Sequence, residues 1–383
     1  MLLRRQTGFT LVELMITMVI FVLAIAASMN IFGGLVNQFK QQSKVAQSNI
    51  EGVIGLELMR YDIEQAGFGL PWNLNGATYE EAANTPASNY NDSAVPNPPR
   101  GIVTEDNVTM GNTSGYLVVK ASNAATSDVS NKWTSIKDIN GVRSIDATGS
   151  AAEDLQNGEK VIALIPSGMG GQRVLVVAGN QFSTDFNSDP NTWPAAFLPG
   201  ANTANLIYGI SGTTTPRMPF NRADYYVKIP STNMPQRCAP GTGILYKGTV
   251  KHGGTNPGNL AEYPLLDCVA VMKTVCRLDQ DGNGVADFSS TTLQGLGLAA
   301  DQIRTQLKEV RVYILAQEGQ IDFNYTYLNP TNADPANPVY AINDPDTGNV
   351  ANVDLNTLVG ANWRNYRWKL YTLVVTPYNL MPK

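Results

Sequence analysis

Arg4-Arg5-Gln6-Thr7-Gly8-Phe9-Thr10-Leu11-Val12-Glu13 is the stretch that decides the fold, because it leads into 26 residues, Leu14 to Phe39, that carry no formal charge. About 20 apolar residues suffice to cross a bilayer as a helix. Glu13 therefore stands at the mouth of a membrane-length apolar run. An unpartnered carboxylate deep in lipid costs roughly 2.5–3.5 kcal/mol, so the residue implies a partner. A secretory signal peptide fits poorly: its apolar core spans about 7–15 residues and ends at a small-residue cleavage site. A plain signal anchor accounts for Arg4, Arg5 and the length, with the basic end cytoplasmic. It does not account for Glu13, or for Gly8 directly ahead of Phe9.

Gly8-Phe9-Thr10-Leu11-Val12-Glu13 resembles the processing site of type IV prepilins and pseudopilins. The resemblance implies a dedicated prepilin peptidase that cuts between Gly8 and Phe9 on the cytoplasmic side and methylates the new amine of Phe9. Residues 1–8 are then a leader peptide. Glu13 of one subunit can pair with the terminal amine of a neighbour. Stranding one member of a buried ion pair costs about 3–5 kcal/mol, so such a pair selects one axial register. Glu13 is expected to be an assembly registry device rather than a catalyst.

The helix is expected to span residues 9–66, with about 9–36 transmembrane, and to be about 87 Å long at 1.5 Å per residue. Small residues (Ala24, Ala26, Ala27, Ser28, Gly33, Gly34) allow close helix–helix approach, and Gly33-Gly34 is a local soft point. Beyond the membrane Ile50, Ile54 and Leu58 recur at i+4, with Val53 and Tyr61 on a neighbouring stripe. That stripe is expected to clamp a globular head. Lys40, Lys44, Glu51 and Glu57 take polar positions, and Gly67 and Gly69 end the helix.

The chain has 383 residues and a net charge of −5, and this mild acidity argues against a nucleic-acid surface. Residues 67–383 suffice for one large head or two subdomains with a real core. The anchor's basic flank places that head outside the cytoplasm, where disulfides persist. Cys268 and Cys276 sit in one apparent strand. Eight strand residues span about 26 Å, whereas a disulfide needs Cα atoms within about 7 Å. Cys238 must then take one of the two; we favour Cys238–Cys268 with a buried, free Cys276, three reduced thiols being the alternative.

Residues 71 to about 160 are rich in Asn, Ser, Thr, Ala and Pro and read as long polar loops between short strands. Strands are expected at Tyr116–Lys120, Lys160–Pro166, Arg173–Ala178, Ala223–Ile229, Gly243–Lys247, Val310–Leu315 and Tyr366–Val375. The fold class is therefore α+β: a long N-terminal helix packed on a large β-rich head with antiparallel sheet. Leu58–Phe68, Cys238–Gly243, Pro264–Val269 and Lys308–Leu315 resemble segments of PilW-type minor pilins, where the two cysteine segments are paired.

Asp279, Asp281, Asn283 and Asp287 occupy positions 1, 3, 5 and 9 of a calcium loop, with Val285 at the carbonyl position and Gly284 at the turn. Ser290 stands where a bidentate Glu normally sits, which predicts weak Ca2+ binding, with Kd near 10⁻⁴–10⁻³ M; the alternative is a plain hairpin turn. Asp344-Pro345-Asp346-Thr347-Gly348 is a poorer echo. The single histidine, His252, reads as a solvated loop residue. With no nucleophile elbow, phosphate loop or zinc spacing, the chain is expected not to be an enzyme. Trp363, Arg364, Tyr366, Arg367, Trp368 and Lys369 interleave basic and aromatic groups as single-strand binding would require, but read better as a strand with aromatics inward.

The resemblance implies a minor pilin of a bacterial type IV pilus, involved in assembly or priming. It would be held in the inner membrane with a periplasmic head before assembly and reach the cell surface in the pilus. Its partners would be the prepilin peptidase, the major pilin, other minor pilins and a pilus tip adhesin. The alternatives are a minor pseudopilin of a type II secretion system and a membrane-anchored calcium-dependent adhesin head.

Overall fold

A computed structural model describes residues 10–92, 97–111, 113–166 and 173–380. Helix α1 runs unbroken from Leu11 to Glu64, through Gly33 and Gly34. Thr10 caps it: its Oγ1 accepts the Glu13 N–H at 3.3 Å, while Glu13 Oε2 accepts the Thr10 N–H at 3.0 Å. This is a capping box, in which two orphan N–H groups of the first turn are satisfied reciprocally. The 54 helical residues are about 81 Å of rod.

The rest is α+β with antiparallel sheet. Among the described residues the larger sheet has the strand order Ile102–Thr109, Thr113–Ala121, Asn221–Lys228, Gly243–Val250, Leu260–Leu278, Leu307–Glu318, Arg367–Val375, with Phe288–Ser290 added beside the long strand. A second sheet is ordered Val142–Ile145, Trp133–Ile139, Ala204–Ser211, Lys160–Pro166, Arg173–Leu175, and Thr184–Asp185 also pairs with Lys160–Pro166. The hairpin Val339–Asp344/Gly348–Asp354 stands apart. Strands form where β-branched and aromatic residues cluster, as in Val310-Arg311-Val312-Tyr313-Ile314-Leu315. Of the expected strands, Lys160–Pro166 coincides with an observed one, and Arg173–Ala178 shortens to Arg173–Leu175.

The head meets α1 from Gln41 onward, where Gln41 Nε2 donates to the Ile321 carbonyl at 3.3 Å and Val45 lies against Gly319, but it buries only the last turns. Leu56, Met59 and Ile63 enter one core with Leu117, Val119, Leu245, Val269 and Met272. Gly55 makes the approach possible, because a Cβ there would lie 2.4 Å from the Leu265 carbonyl oxygen. A polar lock completes the grip: Asp62 is buried, accepts a hydrogen bond from the Tyr225 hydroxyl and pairs with Lys247 Nζ. The C-terminal segment hooks over the helix end, where the Tyr378 N–H donates to Glu64 O at 3.2 Å and Leu380 packs on Gly67.

The predicted clamp is on the other face. Ile50 and Ile54 are 62% and 60% exposed, and Val53, Leu58 and Tyr61 are exposed with them, whereas Met59 is 0% exposed. The stripe at 50/54/58 points away from the head because glycine backbone, at Gly52 and Gly55, makes part of the contact, and backbone contact leaves no apolar side chain to count.

A second buried lock fixes the polar segment after α1 onto the larger sheet. Arg222, 0% exposed on its side chain, pairs with Asp224 at 2.7 Å and Glu81 at 2.9 Å; Lys120 pairs with Glu81 and Asp92, each at 2.7 Å. Arg100 closes the set on Asp92 at 2.6 Å. Such charges are tolerated only when every member is paired.

Chemical denaturation of the full chain in detergent should separate the two faces of α1. Met59→Ala is expected to cost about 2–5 kcal/mol, and Ile54→Ala to stay within about 0.5 kcal/mol. The reverse ranking would place the head on the wrong face.

Candidate functional site

The first 25 residues of α1, Leu11 to Leu35, are exposed wherever their side chains are described. Leu11, Met15, Phe21, Leu23, Ile31 and Phe32 contribute to a surface that is apolar all round, as expected of a rod solvated by lipid or by other helices. Among the described residues this is the one helix long and apolar enough to cross a membrane. Glu13 is the acidic group on that surface. Its Oε2 accepts both the N–H and the hydroxyl of Thr10, at 3.0 and 2.9 Å, and Oε1 accepts no hydrogen bond among the described residues. The carboxylate can therefore cap its own helix with one oxygen and meet an external cation with the other. Gly8 and Phe9 lie outside the described residues, so the scissile peptide has no structural account.

The acidic turn at 279–287 spends its oxygens internally. Asp279 Oδ1 accepts the Gly282 and Asn283 N–H groups at 2.8 and 3.1 Å, and Oδ2 accepts that of Gly284 at 2.9 Å. Lys308 Nζ lies 3.1 Å from the same Oδ2. Asp281 accepts from Asn283 and Asn283 from Val285, while Asp287 accepts the Gln280 N–H. No group of three acids converges on one point among the described residues. Asp281 and Asn283 form two Asx turns in a row, and an ammonium stands beside the Asp279 carboxylate. The Asp344 echo is built alike: Asp344 accepts from Arg311 at 2.9 Å and from the Tyr313 hydroxyl at 2.7 Å, and these bonds hold its carboxyl below the usual range despite burial.

Cys238 and Cys268 form a disulfide with Cα atoms 4.8 Å apart, and Cys276 is free and buried. Burial pushes the Cys276 thiol up to about 12, so it is inert at neutral pH. The strand after Trp363 puts Trp363, Tyr366 and Trp368 into a core. Arg367 lies on Tyr325, 4.1 Å from the ring centre, and pairs with Asp322; Lys369 pairs with Glu318.

His252 is not the solvated residue its loop suggests. Its Nδ1 accepts the Arg217 N–H at 3.2 Å, and its Nε2–H faces Asn221 Oδ1 at 2.8 Å. Asn221 also donates to the Ser122 and Ile210 carbonyls. The ring is thus drawn into the seam between the two sheets. Burial, with Arg217 nearby, pushes its pKa down to about 4. Sequence gave no signal for this, since the partners lie 31 and 35 residues away.

Comparison with known proteins identifies one element. Residues 3–29 match the family model of the prokaryotic N-terminal methylation motif. The chain carries a type IV pilin-like prepilin signal, which implies processing by a prepilin peptidase and assembly with other pilins. The family of that motif is structural rather than enzymatic. The signal and the single apolar helix are consistent with membrane anchoring. No curated protein and no solved structure matches the chain.

Two measurements follow from these geometries. Calorimetry should detect no calcium binding tighter than about 10⁻⁴ M, and Lys308→Met, which removes the competing ammonium, should strengthen whatever binding there is. A half-buried neutral His252 favours the folded state above its unfolded pKa of about 6.5, and that contribution is lost as pH falls towards about 4. The stability gap between wild type and His252→Gln should therefore be widest at pH 7 and narrow on acidification.

Proposed function

We propose that the chain is a minor pilin, a low-copy structural subunit of a bacterial type IV pilus that takes part in assembly or priming. The observation that carries this reading is α1: a prepilin signal leads into a rod that is apolar all round, is buried by its head over only the last turns, and keeps an open apolar stripe even there. Lipid covers the rod before assembly. After extraction, neighbouring helices replace the lipid, and the 50/54/58 stripe extends the contact surface to the level of the head.

Glu13 supplies the register. Cleavage after Gly8 creates an amine at Phe9, and the spare oxygen of Glu13 pairs with the amine of an adjacent subunit. An axial slip leaves two charges stranded in an apolar bundle, at roughly 3–5 kcal/mol. The head, with three sheets and 16 strands among the described residues, is large for a repeating unit. Every repeat would have to pack it, so a low-copy or terminal position suits it better. The same helix surface would serve a pseudopilin of a type II secretion system.

Variants separate the roles. Gly8→Val should leave an uncleaved precursor by mass. Glu13→Gln keeps an acceptor for the Thr10 cap but loses the charge; it should be processed normally yet be depleted from sheared filaments at least about tenfold. Normal incorporation of Glu13→Gln would remove the registry role. Intact pili with failed protein secretion would favour the pseudopilin.

A further inference from the structure

Trp72, eight residues beyond the end of α1, is sandwiched between two guanidinium groups. Arg173 lies 4.9 Å from its ring and Arg304 lies 4.7 Å from it. Cation–π contacts of this kind are favourable, but they do not neutralise charge. Neither arginine has a carboxylate within ion-pair distance among the described residues; Arg173 donates only to the Gly67 carbonyl, at 3.1 Å. The adjoining lock is different: Arg100, Lys120 and Arg222 are balanced by Glu81, Asp92 and Asp224. Two positive charges are thus left uncompensated beside a neutral network, with only exposed Asp301 acting on Arg304 from a distance.

A cleft of about 600 Å³ opens there, lined among others by Trp72, Asn91, Arg100, Gln294, Asp301 and Arg304. Its volume is that of a small-ligand pocket. Three of its lining residues carry buried polar atoms with no hydrogen-bond partner among the described residues: Trp72 Nε1, Arg304 Nη1 and Gln294 Oε1. Native proteins leave few such atoms, and each asks for a reason. The set is two donors, one of them charged, and one acceptor. A charged fork and an indole N–H suit an oxyanion, and the amide oxygen suits a hydroxyl on the same molecule.

We propose that this cleft binds the oxyanion of a small hydroxylated acid of sugar-acid size, with Arg304 and Trp72 as donors to the anion and Gln294 accepting from a hydroxyl. Arg173, behind the indole, holds the ring in place and adds to the positive field. The site lies on the head, away from the membrane-length part of α1, and does not depend on the assembly reading.

The test uses the full chain in detergent micelles, labelled with fluorotryptophan. It gives five signals for the five tryptophans, with that of Trp72 assigned by Trp72→Phe. The probes are sodium glucuronate, inorganic phosphate and neutral glucose. Glucuronate should move the Trp72 signal saturably in the millimolar range, glucose should not, and Arg304→Gln should weaken the response about tenfold or more. Phosphate should also move it, since the anion is the shared feature. Gln294→Met should weaken glucuronate and spare phosphate, and it stands in if Arg304→Gln disturbs the other four signals. No saturable movement with either anion up to about 50 mM would overturn the proposal. So would equal responses to glucuronate and glucose, or a glucuronate response unchanged by both substitutions.

Discussion

One helix has to satisfy two environments, and the grip that lets it do so is small. Over its first half α1 offers an almost wholly apolar surface, with Glu13 as its one charge among the described side chains. The head therefore buries only the last turns, and it holds them by close approach. Gly55 brings helix backbone against the Leu265 carbonyl, Met59 and Ile63 fill the core, and Asp62 reaches Lys247 and the Tyr225 hydroxyl. Burial raises the Asp62 pKa in spite of those partners. The lock thus works against some desolvation cost, and its gain is one defined rotation of the rod on the head. That rotation decides which face is left open.

What was legible in the sequence follows from how local each signal is. Gly8 to Glu13 is contiguous chemistry ahead of an uncharged run, and composition alone marks the rod. Strands such as Lys160–Pro166 and Val310–Leu315 announce themselves by β-branched and aromatic content. The contact face of α1 did not. Positions 50/54/58 and 52/55/56/59/63 are both apolar, so periodicity offers two stripes. It favours the bulkier one, while the real contact uses glycine. The buried lock was equally hidden: Glu81 and Asp92 lie in a polar stretch that reads as loop, and their partners Arg222 and Lys120 are as far as 141 and 28 residues away.

The acidic turns teach a related point. Oxygens at alternate positions can converge on a cation, or each can accept the N–H two residues on, and the sequence pattern is the same. At Asp281, Asn283 and Asp344 oxygens accept the N–H two residues on, and a cation from a distant strand, Lys308 or Arg311, lies beside Asp279 or Asp344. Neither lysine nor arginine could be assigned to those turns from spacing. Both sites thus belong to a wider habit of this head, in which polar loops are held by paired charges; the two arginines around Trp72 depart from it.

The central claim is that α1 is divided lengthwise, with one face for its own head and the other for a neighbouring helix. A photocrosslinking residue placed at Ile54 tests it in cells. The account predicts adducts of higher mass that contain a second pilin-type subunit. A folded, processed protein that crosslinks at Ile54 only within its own chain would contradict it.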